Sequence, residues 1–385
     1  MAFHFGPSHG RHMRVLINAI SAKAGGIVTY TSNLIASLEQ RGIDFLVAVP
    51  NSFPDGRSVL KVPASNYNPL HRLAWEQIIW RRIIRRSRAD VLFSSANFGL
   101  LNSPVPQLLL MREGGLFDPL YLSTVAPCQG LDATIQRYLR RMLMLLSARH
   151  NDHIMTPTEA MRNMFLHWTP DLADRCSVNS YGTLVDTFKP TTRRPWRQDG
   201  TLKILYVSVY YPHKNPSDGL LASEILTRQG LPTTMRLSME LEQIKRVKGS
   251  ARDLFHLTRG AEAGLLQTGI IRYTDLPATY ADHDVFIFPS LSETFGHPMT
   301  EALASGIPVV AADVAVNREV LGDAALFYNP FHPSELAVCL RLLDEKPELR
   351  RELSEKGLRR VASLFDWNDH VDRLVEQFQR LANRV

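Results

Sequence analysis

One stretch constrains this chain more than any other: Phe286 to Asp313, reading FIFPSLSETFGHPMTEALASGIPVVAAD. The apolar run Val285 to Phe288 has the character of a buried parallel strand. A turn from Pro289 through Pro298 follows, then a helix start at Met299 to Ser305, a stop at Gly306 and a second strand opened by Pro308. Strand, loop, helix and strand make one βαβ unit, and such units bind ligands at the carboxyl ends of their strands. Glu293 and Glu301 bracket the loop, with Phe295, Gly296, His297 and Pro298 between them. A helix N-terminus presents unpaired N–H groups and partial positive charge, which suits a phosphate. Gly296 allows close backbone approach, and a carboxylate accepts hydrogen bonds from paired hydroxyls. Together these features suit a nucleotide-sugar. The plainer alternative is that Glu301 complements the helix dipole and Glu293 is a solvated loop residue.

The wider string resembles the donor-site signature of the GT-B glycosyltransferases, in particular the large retaining family 4. The resemblance rests on Pro289, Ser290, Glu293, Phe295, Gly296, Pro298, Glu301, Ala302, Ala304, Gly306, Pro308, Val309 and Val310 at fixed spacing. It implies an α/β protein with two Rossmann-like domains facing a cleft. It also implies Glu301 on the donor ribose, Glu293 near the sugar, and donor contacts from Phe295, Gly296, His297, Met299 and Thr300.

At 385 residues the length favours two domains. The expected division is a disordered leader at 1–13, an acceptor-side domain at 14–195, a donor domain at 196–365 and a returning helix at 366–385. No apolar run reaches the roughly 18 residues needed to span a bilayer, and the polar, Gly/His-rich first residues are unlike a signal peptide. Three scattered cysteines suggest neither a disulfide framework nor a metal cluster. These features place the chain in the cytoplasm. Residues 1–200 carry a net charge of +9 and residues 201–385 carry −3, so the first half suits an anionic partner. No zinc knuckle or helix-turn-helix signal points to nucleic acid.

In the first half, Arg14 to Ile20, Phe45 to Val49, Val91 to Ser94, Gln107 to Met111 and His153 to Thr156 read as strands. Gly25 and Gly26, between the first strand and the helix Ile27 to Gln40, make a tight turn; in the resembled family a Gly-Gly here lies near the donor phosphates. Pro69 to Arg88 reads as a helix with Leu73, Ile79, Trp80 and Ile83 among arginines. It is either a surface helix with one core stripe or, through Arg81, Arg82, Arg85 and Arg86, a membrane-surface helix drawn to anionic lipid. Arg137 to Arg149 repeats the basic pattern. Many family members carry His-Asp at the end of the strand that here precedes Arg112 and Glu113. No histidine matches, so Arg112 and Glu113 stand as acceptor-side candidates, or as a salt-bridged loop pair.

Lys189 to Gly200 reads as the interdomain linker. Leu202 to Val209 then opens a new unit, followed by a helix from Pro216 to Arg228. Lys214, at the mouth of that strand, is placed to neutralise a diphosphate leaving group; Lys214-Asn215 matches the family's pair. The family's arginine partner is replaced by Val209 or His213. Tyr273 lies in a segment whose counterpart contacts the base.

The expectation is therefore a metal-independent retaining glycosyltransferase with Lys214 and Glu293 as catalytic residues. It takes a nucleotide-sugar, needs no cofactor, and serves a glycan or lipid-linked acceptor of surface polysaccharide assembly. The alternatives are a GT-B epimerase or phosphorylase, and a non-catalytic nucleotide-sugar or membrane-surface binding protein.

Overall fold

The computed structural model describes residues 13–23, 26–189 and 192–384. Most of the expected leader and Gly25 fall outside the described residues, as does the side chain of Leu73. Among the described residues the strands form two parallel sheets. The first contains β1 (Arg14–Asn18), β2 (Asp44–Pro50), β3 (Val59–Val62), β4 (Val91–Ser94), β5 (Gln107–Leu110), β6 (His153–Thr156) and β7 (Cys176–Val178), in the order β3-β2-β1-β4-β5-β6-β7. The second contains β8 (Leu202–Tyr206), β9 (Thr233–Leu237), β10 (Leu266–Thr268), β11 (Val285–Phe288), β12 (Val309–Ala312) and β13 (Ala325–Tyr328), in the order β10-β9-β8-β11-β12-β13. Their central strands are wholly buried, as continuous apolar runs such as Val285–Phe288 and Val309–Ala312 require when helices cover both faces. This is the expected Rossmann-like α/β architecture.

The order of the second sheet reverses between β8 and β11, which pair with Val285 opposite Ile204 and Phe286 opposite Leu205. Doubly wound sheets bind ligands at that switch point, outside the carboxyl ends of the two strands. The loop after β8 carries Lys214 and the loop after β11 carries Glu293, so topology alone brings these residues to one place.

By contact density the chain divides into two compact units. One comprises the described residues of Met1–Met111, with Met144–Met155 and Val371–Val385; the other comprises Arg112–Leu143 and Thr156–His370. In the first unit, Leu16, Ile20, Ala48, Trp80, Ile84 and Leu92 form one core. The helix Pro69–Ser87 starts where Asn68 accepts the His71 N–H at 2.9 Å. It turns Trp80 and Ile84 into that core and leaves Arg82, Arg85 and Arg86 exposed, while Arg81 donates to the Leu101 carbonyl at 2.6 Å. Of the apolar residues expected on it, Trp80 is in that core and Ile83 packs against it, with Ile84 added beside them. The C-terminal helix Trp367–Ala382 sets Phe378 against Phe93, ring centroids 5.4 Å apart, and Asp372 accepts from Arg41 at 2.7 Å.

The segment expected as the linker, Lys189 to Gly200, is held in the second unit at its later residues. Trp196 donates to Asp344 at 2.8 Å, and Arg197 pairs with Asp344 at 2.9 Å.

Candidate active site

Every distance below lies within the second unit. Lys214 closes a short 3-10 turn, Pro212–Lys214, that follows β8. Its carbonyl accepts from the buried Tyr206 hydroxyl at 2.9 Å, and its Nζ lies 2.5 Å from Glu293 Oε1. Both side chains are mostly buried, at 13% and 11% exposed, so little water competes with the contact. Spacing alone offered each as an unpaired loop residue; the fold makes them an ion pair.

A polar network fixes the base of the Lys214 turn. Asn215 sits in the left-handed region at φ 47° and accepts from Arg252 at 3.1 Å. Arg252 also reaches the buried Asp218 at 3.4 Å. Asp253, buried beside them, accepts from the hydroxyls of Ser217 and of Tyr210, the latter at 2.8 Å. Burial pushes both carboxyls above their usual range, with those hydrogen bonds opposing it. Sequence reading missed this network; Asp253 comes from a helix with no motif of its own.

The helix expected to start at Met299 begins two residues earlier, as His297–Ala304, with Pro298 in its first turn. Gly296 precedes it at φ 82° without a side-chain cap, the Met299 N–H donates to the Gly296 carbonyl at 2.9 Å, and the helix end keeps the partial positive charge that suits an anion. The left-handed backbone selects glycine. A Cβ at Gly296 would also lie 2.7 Å from the Met299 methyl and 3.2 Å from the Phe288 ring. Met299 and Phe295 are buried beneath the turn. Thr300 donates to the His297 carbonyl at 3.0 Å and accepts from Thr183 at 2.6 Å.

Glu301 is buried on the second turn of this helix, with the Tyr280 hydroxyl 3.3 Å away. Burial raises its carboxyl to about 7, only partly offset by Tyr280. The same burial, and then the Glu301 charge, pushes the Tyr273 phenol up; the Tyr273 ring rests on Phe188 with centroids 5.7 Å apart.

His297 stacks on Tyr181 with ring centroids 5.0 Å apart. Its Nε2 is buried without a hydrogen-bond partner among the described residues. Burial, and then the Arg112 charge, lowers its pKa to about 4, so the ring is neutral at physiological pH. Arg112 lies over the other aromatic of this cluster, its guanidinium carbon 5.7 Å from the Tyr181 centroid. His213, which stands where the family's arginine is expected, is stacked on Tyr211 and edge-on to Tyr121, both at 5.7 Å. Burial and then Lys214 hold it well below the usual histidine range. It therefore adds no positive charge beside Lys214.

The Arg112–Gly115 loop lies against the Glu293 loop. A Cβ at Gly114 would stand 2.9 Å from the Glu293 carbonyl oxygen. A Gly114→Ala change is therefore expected to displace Glu293 and lower kcat about tenfold or more, with a smaller change in melting temperature; steady-state rates beside thermal melts check this. Glu113 pairs with Arg140 at 2.5 Å. The loop is thus salt-bridged to Arg140. Gly26, in the first unit, opens the helix Gly26–Gln40 with open space around its α-carbon.

A separate groove of about 500 Å³ is lined by Lys203, Arg236, Gln267, Ile270, Asp275 and Asp282. Its charges are already engaged: Arg236 donates to the Thr268 carbonyl at 2.9 Å and Lys203 meets Asp282 at 3.3 Å. Lys203 lies at the amino end of β8, so this groove is not the switch-point site. Among the described residues, no cluster of three His, Cys, Asp or Glu side chains is arranged to hold a metal ion.

Comparison with known proteins agrees with this geometry. Residues 188–360 match the family model "Glycosyl transferases group 1", and residues 25–181 match "Glycosyl transferase 4-like domain". The chain belongs to the group 1 glycosyltransferases of GT-B fold. It is 28% identical over 179 residues to O-antigen chain mannosyltransferase B of Escherichia coli, a match covering 46% of this chain and 45% of that protein. The chain spans less than half the length of the first curated relatives it matches. Sucrose-phosphate synthase from Thermosynechococcus elongatus superposes with a TM-score of 0.79 at 16% identity, over 97% of this chain and 100% of that one. Anabaena HepE, solved in complex with UDP-glucose, superposes at 0.72 with 17% identity over 96% and 100% of the two chains.

Proposed function

We propose that this group 1 glycosyltransferase moves a sugar from a nucleoside-diphosphate sugar to a glycan or lipid-linked acceptor, with retention at the anomeric carbon and without a metal ion. The observation that carries the reading is the Lys214–Glu293 pair at the switch point, followed by the uncapped helix bearing Glu301. Charge grows on the departing diphosphate as the C1–O bond lengthens. Lys214 and the positive end of the helix that follows Gly296 meet that charge in a site with little water. Glu293 orients the sugar, and Glu301 accepts from the ribose hydroxyls. The buried, unpartnered His297 Nε2 offers the donor one further hydrogen bond; left unmade, such a group costs about 1–3 kcal/mol.

Retention follows if the acceptor oxygen attacks C1 on the face the diphosphate leaves, and the departing phosphate oxygen takes the acceptor proton. No side-chain base is then required, which is compatible with a neutral His297 and with arginine at position 112. The UDP-glucose complex of HepE supports a nucleotide-sugar donor. The O-antigen chain relative supports a polysaccharide acceptor.

Incubation with UDP- and GDP-hexoses and oligosaccharide or lipid-linked acceptors, with and without EDTA, tests this. The expected product keeps the donor's anomeric configuration by NMR, and its rate is unchanged by EDTA. Inversion, or abolition by EDTA, would overturn the mechanism.

A further inference from the structure

The loop between β8 and Lys214 leaves two apolar side chains in water beside the candidate active site. Val209 is 64% and Tyr211 55% exposed, while Tyr210 between them is buried with its hydroxyl on Asp253 at 2.8 Å. The backbone at Tyr211 is extended, at φ −142° and ψ 154°, so successive side chains face opposite ways. Anchoring Tyr210 inward therefore turns Val209 and Tyr211 outward. One face of the Tyr211 ring lies along His213, with centroids 5.7 Å apart and planes 10° from parallel. His213 in turn meets Tyr121 edge-on at the same separation. The result is a small aromatic platform whose outer ring is open to solvent.

The platform is fixed to the loops of the site, all within the second unit. The Tyr211 carbonyl accepts the Lys214 N–H, and the His213 carbonyl accepts the N–H of Leu291, two residues before Glu293, both at 2.8 Å. A Cβ at Gly115 would stand 3.3 Å from the Tyr121 ring, so the Arg112–Gly115 loop rests on the same cluster. Size and charge select the ligand. One tyrosine ring with a valine beside it matches a single sugar ring and falls far short of the ~800 Å² per partner of a standard protein interface. The platform offers no charge to an anion: burial and then Lys214 keep the His213 ring neutral, and Lys214 is itself paired with Glu293. A pyranose presents C–H groups on one face and hydroxyls around its rim. The C–H face suits the electron-rich face of an aromatic ring, and the hydroxyls stay in water.

We propose that Val209 and Tyr211, backed by His213, hold a pyranose ring of the acceptor, so that the group receiving the transferred sugar belongs to a saccharide. That the ring is the acceptor's rests on the transfer reading above; the binding of a saccharide at Tyr211 does not.

Saturation-transfer NMR of the full chain with the methyl α-D-pyranosides of glucose, mannose and galactose, at millimolar concentration, tests the binding. At least one of these sugars is expected to take up saturation, strongest at the C–H protons of one ring face. Tyr211→Ala is expected to lose about fivefold or more of that signal, and Tyr211→Trp to keep it, because the ring supplies the contact. The melting temperature of both variants is expected to match wild type, since the side chain is exposed. Saturation of none of the three sugars by the wild type, or equal saturation by Tyr211→Ala, would overturn the proposal. So would loss of the donor-induced thermal shift in Tyr211→Ala, because the platform would then hold the donor, whose base also stacks on aromatic rings. Tyr211-dependent saturation without a thermal shift from any donor would sustain the saccharide platform and count against the proposed function instead.

Discussion

A Lys214→Ala variant is expected to lose about 10²–10³-fold in kcat with less than about tenfold change in KM for the donor. The asymmetry is the point of the prediction. Lys214 meets Glu293 at 2.5 Å in the resting site, so the ground state already satisfies its charge. The leaving diphosphate gains negative charge only as the bond breaks, and there the ammonium contributes most. His213 cannot take over, because burial keeps its ring neutral. Arginine at position 214 is not expected to rescue, since its planar fork does not reproduce a compact ammonium. Initial rates over a donor series check this. A kcat within threefold of wild type would remove Lys214 from the leaving group.

The second large effect is expected at Glu301, where stability and binding move in opposite directions. Its carboxyl ionises near 4.5 when exposed and near 7 in the fold, because burial disfavours the charge. Between those values the folded state holds a proton that the unfolded chain releases. Stability contributed by the neutral acid is therefore full below pH 4.5, declines as the pH rises to 7, and is absent above it. The span corresponds to about 3 kcal/mol. A Glu301→Gln variant, neutral at every pH, should be more stable than wild type by about that amount at pH 8 and equal to it near pH 4.5. Denaturant melts at the two pH values read the difference. The variant should also bind donor at least tenfold more weakly, because ribose hydroxyls are better held by a carboxylate. Wild-type affinity should then fall about tenfold per pH unit below 7 while the variant stays flat. A wild-type affinity independent of pH between 5 and 8 would contradict Glu301 as the ribose ligand.

The sequence made the donor turn legible because its information is local. Gly296 at φ 82°, Pro298 inside the helix and the buried run Val285–Phe288 each follow from backbone preference within a few residues. The helix Pro216–Arg228 spans the residues expected of it. Short strands were harder. Leu266–Thr268 has three residues and Thr233–Leu237 carries two threonines and an arginine, so neither makes a distinctive apolar run. Long-range pairings had no local signature at all. Lys214 finds Glu293 across 79 residues, and Tyr181 and Tyr280 lie in segments where the resemblance singled out neither residue.

The Leu131–Arg149 helix shows a different limit. Its periodicity displays an apolar and a basic stripe, and the default places the apolar one inside. Trp168, Glu113 and the Ala126 carbonyl instead draw arginines inward and leave the apolar face in water. Which face meets solvent depends on neighbours distant in the chain.

The central claim, that the switch point of the second sheet is a nucleotide-sugar site read by Glu301, is tested most directly by thermal shift with a panel of UDP- and GDP-hexoses at pH 8. The account predicts that one donor, at about a hundred times its Kd, adds ~2.7 kcal/mol of stability and raises the wild-type melting temperature by several degrees. The shift should persist in Lys214→Ala and fall to about half or less in Glu301→Gln. An equal shift in all three proteins would place the donor elsewhere, and no shift with any donor would contradict the site itself.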